Sequence, residues 1–302
     1  MEAMQFEPMS VGRILDRTFT IYRNNFLRFI TIVAIIQVPI ALISLVFSSL
    51  SFTGVPVERQ IASEPLESTM QDSMQPDDEV ERQTRSRSMR EDVPSPAFAI
   101  GVCLGTVFSF LLMIVGGMLC QAALTKSVSE TYLGREISVG QAYRSILPRF
   151  LSLVWAAILS TLAVWFGFAL LIVPGIIFGL WLFLTTPSIV VENQRAIGGM
   201  ARSKSLVSGN LGKVFAVRFL VGLIGLVITV PTNYLGVLAA RLLGPDNVMA
   251  GMSVSRFISV LGQVLATPIS AAASILLYYD LRIRKEGFDL QMLAQQMTTN
   301  QG

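Results

Sequence analysis

The sequence predicts an all-α protein, a polytopic membrane bundle of six transmembrane helices with short cytoplasmic interfacial helices. Three observations lead there. Hydrophobic residues make up 52% of the chain and charged ones only 14%, against about 25% charged in a soluble domain. The stretch Phe150–Val191 contains no Asp, Glu, Lys or Arg. As one helix it would run about 63 Å, twice the ~30 Å hydrocarbon core of a bilayer, so it must fold back. The basic residues, finally, alternate between segments in the manner of cytoplasmic loops.

Residues 1–28 form a cytoplasmic segment built around an amphipathic helix, Ser10–Asn24. Ser10 is a fitting N-cap. Val11, Ile14, Leu15, Thr18, Ile21 and Tyr22 share one face; Arg13, Asp16, Arg17 and Arg23 share the other. Such a helix lies in the membrane interface or packs on neighbouring protein. Residues 29–50 are the first span, with Gln37 and Pro39 near its middle. Residues 51–96 differ in composition: ten acids, five arginines and many Ser, Gln and Pro. So little apolar surface cannot offset the entropy of ordering, and the segment reads as an extracytoplasmic, largely disordered loop with room for a short helix near Glu79–Arg90.

Residues 97–125 are the second span; its Gly101-x-x-x-Gly105 and Gly116-Gly117 suit close helix approach in lipid. Residues 126–149 are a cytoplasmic amphipathic segment carrying Val139, Tyr143 and Ile146 on one face. Residues 150–173 and 176–191 are the third and fourth spans, turning at Pro174-Gly175. Residues 192–218 are a cytoplasmic helical segment whose apolar face Lys204 interrupts. Residues 219–240, the fifth span, are interrupted by Pro231-Thr232-Asn233. An outer loop, 241–256, leads to the sixth span, 257–279, and the cytoplasmic tail 280–302 follows.

With the N-terminus inside, 16 of the 23 Lys and Arg residues fall in inner segments, all four lysines among them. The expected location is therefore the inner (plasma) membrane, with both termini cytoplasmic. Ser10-Val11-Gly12, Ser138-Val139-Gly140 and Ala196-Ile197-Gly198 each precede an outward-going span. The pattern fits a unit of interfacial helix, span and return span used three times, or the common look of any inner loop entering a membrane.

The chain contains no histidine. That removes histidine general bases, Ser-His triads and histidine metal sites. Cys103 and Cys120 fall in one apolar run and read as small buried residues. No catalytic group, cofactor or metal site is expected, and no nucleic-acid partner. Two groups of residues remain as candidate sites. Gln37, Asn233 and Gln263, with Pro39, Pro231 and Pro268 at similar depths, mark either a midplane cavity or kinks that aid packing. Glu192, Arg202, Ser203, Asp280 and Arg282 gather at the cytoplasmic boundary. There Glu192 or Asp280 is expected to pair with an arginine from another segment, or all of them act as solvated topology determinants. Arg284 and Lys285 are expected to meet anionic lipid headgroups.

Several segments carry a signature. They are Leu15-Asp16-Arg17-Thr18-Phe19, Tyr22-Arg23-Asn24-Asn25-Phe26, Val173-Pro174-Gly175, Glu192, Arg202-Ser203-x-x-Leu206-x-x-Gly209 and the tail Tyr278–Leu290. Together they resemble the membrane domain fused to some glycerophosphoryl diester phosphodiesterases, and its stand-alone integral membrane relatives. Gly199 departs from the Ala frequent in that pattern. The fused enzyme's catalytic barrel uses histidine, which this chain lacks, so the resemblance implies no activity. It implies a non-catalytic binding or scaffold module in a membrane, lipid or envelope process, with bilayer lipid and a protein partner or second copy as partners. The alternative is a transporter or exporter of small molecules or lipids with a midplane cavity.

Overall fold

The computed structural model describes residues 9–52, 96–244 and 248–286. Among them are ten α-helices and no strand. In chain order these are α1 (Val11–Asn24), α2 (Phe26–Phe52), α3 (Pro96–Tyr132), α4 (Val139–Ile146), α5 (Phe150–Leu170), α6 (Ile172–Trp181), α7 (Thr185–Glu192), α8 (Ala196–Val207), α9 (Leu211–Leu242) and α10 (Val248–Glu286). Among the described residues, six stretches are long and apolar enough to cross a membrane: Phe26–Ile43, Cys103–Tyr132, Val139–Leu170, Ile172–Glu192, Leu211–Leu242 and Ala250–Glu286. The protein is a multi-pass membrane protein. Its large apolar side chains face outward in number, Trp165, Leu171 and Ile172 among them, as a bilayer solvent requires.

Two compact units divide the chain. Residues 42–112 hold the last part of α2 and the first part of α3, where Leu104, Val107 and Phe110 are exposed. The remaining unit holds everything described below.

Its centre is the C-terminal half of α10. Ala271 to Leu281 is buried without a break. Tyr279 stacks on Tyr132 of α3 at 5.3 Å and shares a 2.7 Å hydrogen bond with Ser129. Helices α9 and α10 approach backbone to backbone. A Cβ on Gly236 would lie 2.9 Å from the Ser255 carbonyl oxygen, and one on Gly262 would lie 2.9 Å from Thr232 Cβ. Only glycine allows that separation.

Two of the three short helices carry side-chain N-caps, the expected Ser10 and, in addition, Ser138. Ser10 accepts from the Arg13 amide at 3.3 Å. Ser138 and Gln141 form a reciprocal capping box. The third short helix, α8, starts at Arg195 without a side-chain cap. The motif of short helix then span therefore recurs three times, but its cap recurs twice.

Several expectations need correction. The hairpin turns at Leu171, whose backbone is extended, not at Pro174-Gly175. Pro174 and Gly175 sit in the first turn of α6, where a missing N–H breaks no helical bond. Gly175 is there for closeness: a Cβ on Gly167 would meet its Cα at 2.9 Å. The fourth span is two helices, α6 and α7, separated by residues 182–184. Pro187 falls in the first turn of α7, where its missing N–H suits a helix start. The fifth span, conversely, continues as one helix through Pro231. Cys120 is buried but Cys103 is exposed, since a lipid-facing surface accepts a thiol as readily as a core does. The loop expected over 51–96 lies almost wholly outside the described residues, as do Glu79–Arg90 and most of the tail.

Candidate functional site

Charged and polar side chains from four helices, α7 to α10, converge with the backbone before α1 at one end of the main unit, called the base here. Its geometry follows from the register of α10. Tyr278, Arg282 and Glu286 are spaced four apart and share a stripe; Asp280 and Arg284 share another, about 200° around the helix. One helix end thus serves two neighbours.

Asp280 is fully buried. Its Oδ1 accepts from the Met9 amide at 2.6 Å. Its Oδ2 accepts from Lys213 Nζ, in the first turn of α9, and from Arg284 Nε at 3.1 Å. Lys213 Nζ and Arg284 Nη2 also donate to the Met9 carbonyl, at 2.6 and 3.1 Å. The segment before α1 is therefore clamped through its own backbone. A buried carboxylate with several charge-assisted donors is stable; without them it would be costly.

Glu192, at the end of α7, accepts from Arg202 Nε of α8 at 2.9 Å and from the Tyr278 hydroxyl at 2.5 Å. Arg202 Nη2 reaches on to Glu286, which also accepts from Arg282 Nε at 3.0 Å. Partial burial of Arg202 favours its neutral form, yet the hydrogen bonds to Glu192 and Glu286 outweigh it and raise the guanidinium pKa above its ordinary value.

Ser203 belongs to neither network. Its hydroxyl donates to the Trp181 carbonyl at 2.6 Å and accepts from the Leu184 amide at 3.1 Å. It thereby satisfies main-chain groups freed by the α6–α7 break. Leu206 is fully buried. Gly209 ends α8 with φ +89°, a conformation glycine adopts freely. Each named residue of the Arg202–Gly209 signature thus has a structural task.

The structure brings Glu192, Arg202 and Arg282 together around Glu286, and places Ser203 beside the helix break. Asp280 stands apart from Arg282, and its partner from another segment is a lysine, Lys213, not an arginine. Arg284 pairs with Asp280 and Lys285 donates to the Ser205 carbonyl, and both side chains remain exposed. Gln37, Asn233 and Gln263 sit in three different settings. Gln37 is half-buried in α2. Asn233 is exposed, donating to the Thr229 carbonyl and accepting from Ser259 at 2.6 Å. Gln263 lines a groove of about 400 Å³, together with Gln121 and Arg218. Among the described residues no cluster of His, Cys, Asp or Glu could hold a metal.

The sequence profile described as "Domain of unknown function (DUF7847)" matches residues 9–281. The chain belongs to the DUF7847 family. No curated protein and no solved structure matches it. The DUF7847 match begins at Met9 and ends at Leu281, so it takes in both halves of the Asp280 clamp and the Glu192–Arg202 pair.

Reading the sequence missed Lys213, Tyr278, Glu286 and Arg218. Tyr278 and Glu286 had a signal, the four-residue spacing with Arg282. Lys213 and Arg218 read as flanks of the fifth span. In the structure both lie inside the continuous α9.

Proposed function

We propose that this member of the DUF7847 family is a non-catalytic binding or scaffold module of the bacterial inner membrane, acting in lipid or envelope metabolism, with both termini in the cytoplasm. The observation that carries this reading is the double bracing of the base. Asp280 ties the N-terminal segment, α9 and α10, while Glu192 ties α7, α8 and α10. A carrier works by rocking one bundle against another; helices joined through buried charges make a fixed platform. The resemblance to phosphodiesterase-associated membrane domains supports the link to lipid. A transporter is the second reading, favoured by the groove that Gln263 lines.

Native mass spectrometry and reconstitution test the choice. A binding module leaves the membrane with discrete phospholipid adducts and moves no fluorescent lipid between leaflets of proteoliposomes. Protein-dependent lipid flux points to the transporter, and an absence of any adduct removes the binding reading.

Orientation has its own test, in a background with Cys103 and Cys120 replaced by alanine. Glu136 lies in the turn before α4 and Leu242 ends α9, with Leu242 82% exposed. In intact cells an impermeant maleimide labels Leu242→Cys and leaves Glu136→Cys unlabelled. The reverse pattern inverts the topology.

A further inference from the structure

Arg218 sits seven residues into α9, about 10 Å along its axis from Leu211. Its guanidinium lies 4.8 Å over the Phe183 ring. Among the described residues no carboxylate pairs with it, although Lys213, about 7.5 Å nearer the base, is held by Asp280. Arg218 is exposed on the surface of α9, and a cation without a carboxylate near the end of a span is suited to an anionic headgroup.

The surroundings supply the rest. Arg218 opens onto the groove of about 400 Å³ whose other walls include Gln121 of α3 and Gln263 of α10. Gly222 and Gly225 follow Arg218 on the same face of α9 and form the groove's floor. A Cβ on either glycine would meet nothing within 4 Å. Here glycine does not serve close helix packing, as it does at Gly236; it leaves space unfilled. The track runs from a lone cation, past amide donors, towards the bilayer interior.

We propose that this groove binds an anionic membrane lipid, with the phosphate at Arg218 and the glycerol ester region along the Gly222–Gly225 track. A planar guanidinium holds a phosphate through paired N–H donors. The amides of Gln121 and Gln263 offer N–H groups to ester carbonyls, and the open side lets acyl chains leave into the bilayer. A free anion would use the arginine but leave the track empty. The proposal rests on the reading of the chain as a binding module, and it names the ligand and the place.

The test is titration of the detergent-purified protein with dioleoyl phosphatidylglycerol, dioleoyl phosphatidylcholine or sodium phosphate, read as adducts by native mass spectrometry. Wild type retains phosphatidylglycerol in preference to phosphatidylcholine. Arg218→Gln lowers that retention about tenfold or more, the size of one charge-assisted contact, and Arg218→Lys restores part of it. Gly225→Leu blocks retention while leaving the melting temperature unchanged or raised, because its side chain enters open space and favours the helix. Competition by sodium phosphate at equal concentration identifies a soluble-anion site and overturns the lipid assignment. Equal phosphatidylglycerol retention by wild type, Arg218→Gln and Gly225→Leu overturns the site while leaving a lipid-binding module. Wild type without any adduct overturns both.

Discussion

Replacing Asp280 with alanine lowers the stability of the detergent-solubilised protein by about 3–5 kcal/mol, the cost of leaving a buried charge without its partner. The side chain is fully buried and Lys213 is only 16% exposed. Without the carboxylate, Lys213 and Arg284 face each other across the Met9 backbone with no negative charge between them. The Met9 amide also loses its acceptor. Thermal unfolding followed by tryptophan fluorescence reads the loss as a fall in Tm. The double variant Asp280→Leu, Lys213→Met recovers part of it, because an apolar pair of similar volume removes the stranded charge. A single variant that melts with wild type means that water or lipid solvates Lys213 and the clamp contributes nothing.

Ser203→Ala has the second largest effect, through main-chain groups rather than charge. The serine is fully buried and bonds both sides of the α6–α7 break. Alanine fills nearly the same space but offers neither donor nor acceptor, so the Leu184 amide and the Trp181 carbonyl lose a partner. Each orphaned group costs about 1–3 kcal/mol. Ser203→Thr keeps the hydroxyl and separates a lost bond from a packing fault. Hydrogen exchange checks the mechanism: the Leu184 amide exchanges faster in Ser203→Ala, with α10 unaffected. An unchanged Leu184 rate together with a lowered Tm means that the serine acts through packing alone.

The fold was legible because bilayer solvent writes a coarse signal. Long uncharged runs mark spans, and Ser10 and Ser138 mark the starts of two short helices. The break inside the fourth span was not legible. Residues 176–191 carry no charge and read as one membrane run; Pro187 does not by itself announce a turn, since α9 runs on through Pro231, and the serine that stabilises the break lies 19 residues beyond Leu184. Pairing was hidden by distance in the same way. Asp280 was visible as a charge at a boundary, but nothing local points to a lysine 67 residues earlier. Arg218 was concealed by convention: a charge beside an apolar run reads as its flank, and only the continuity of α9 shows it seven residues inside the helix.

The position of α10 at the centre of the base bears on how the chain is made. Translation runs from α1 to α10, so the helix that the others pack against emerges after the rest. When Lys213 leaves the ribosome, the carboxylate that will neutralise it is 67 residues away, roughly 3–13 s of synthesis at about 5–20 residues per second. Glu192 and Arg202 can meet early, but Tyr278 and Glu286 join them only at the end. Until then Lys213 lacks its carboxylate and the centre of the base is unfilled. Arrival of Asp280 closes the N-terminal segment onto the newest helix, which makes completion of this stretch of the chain the event that commits the bundle to its final form.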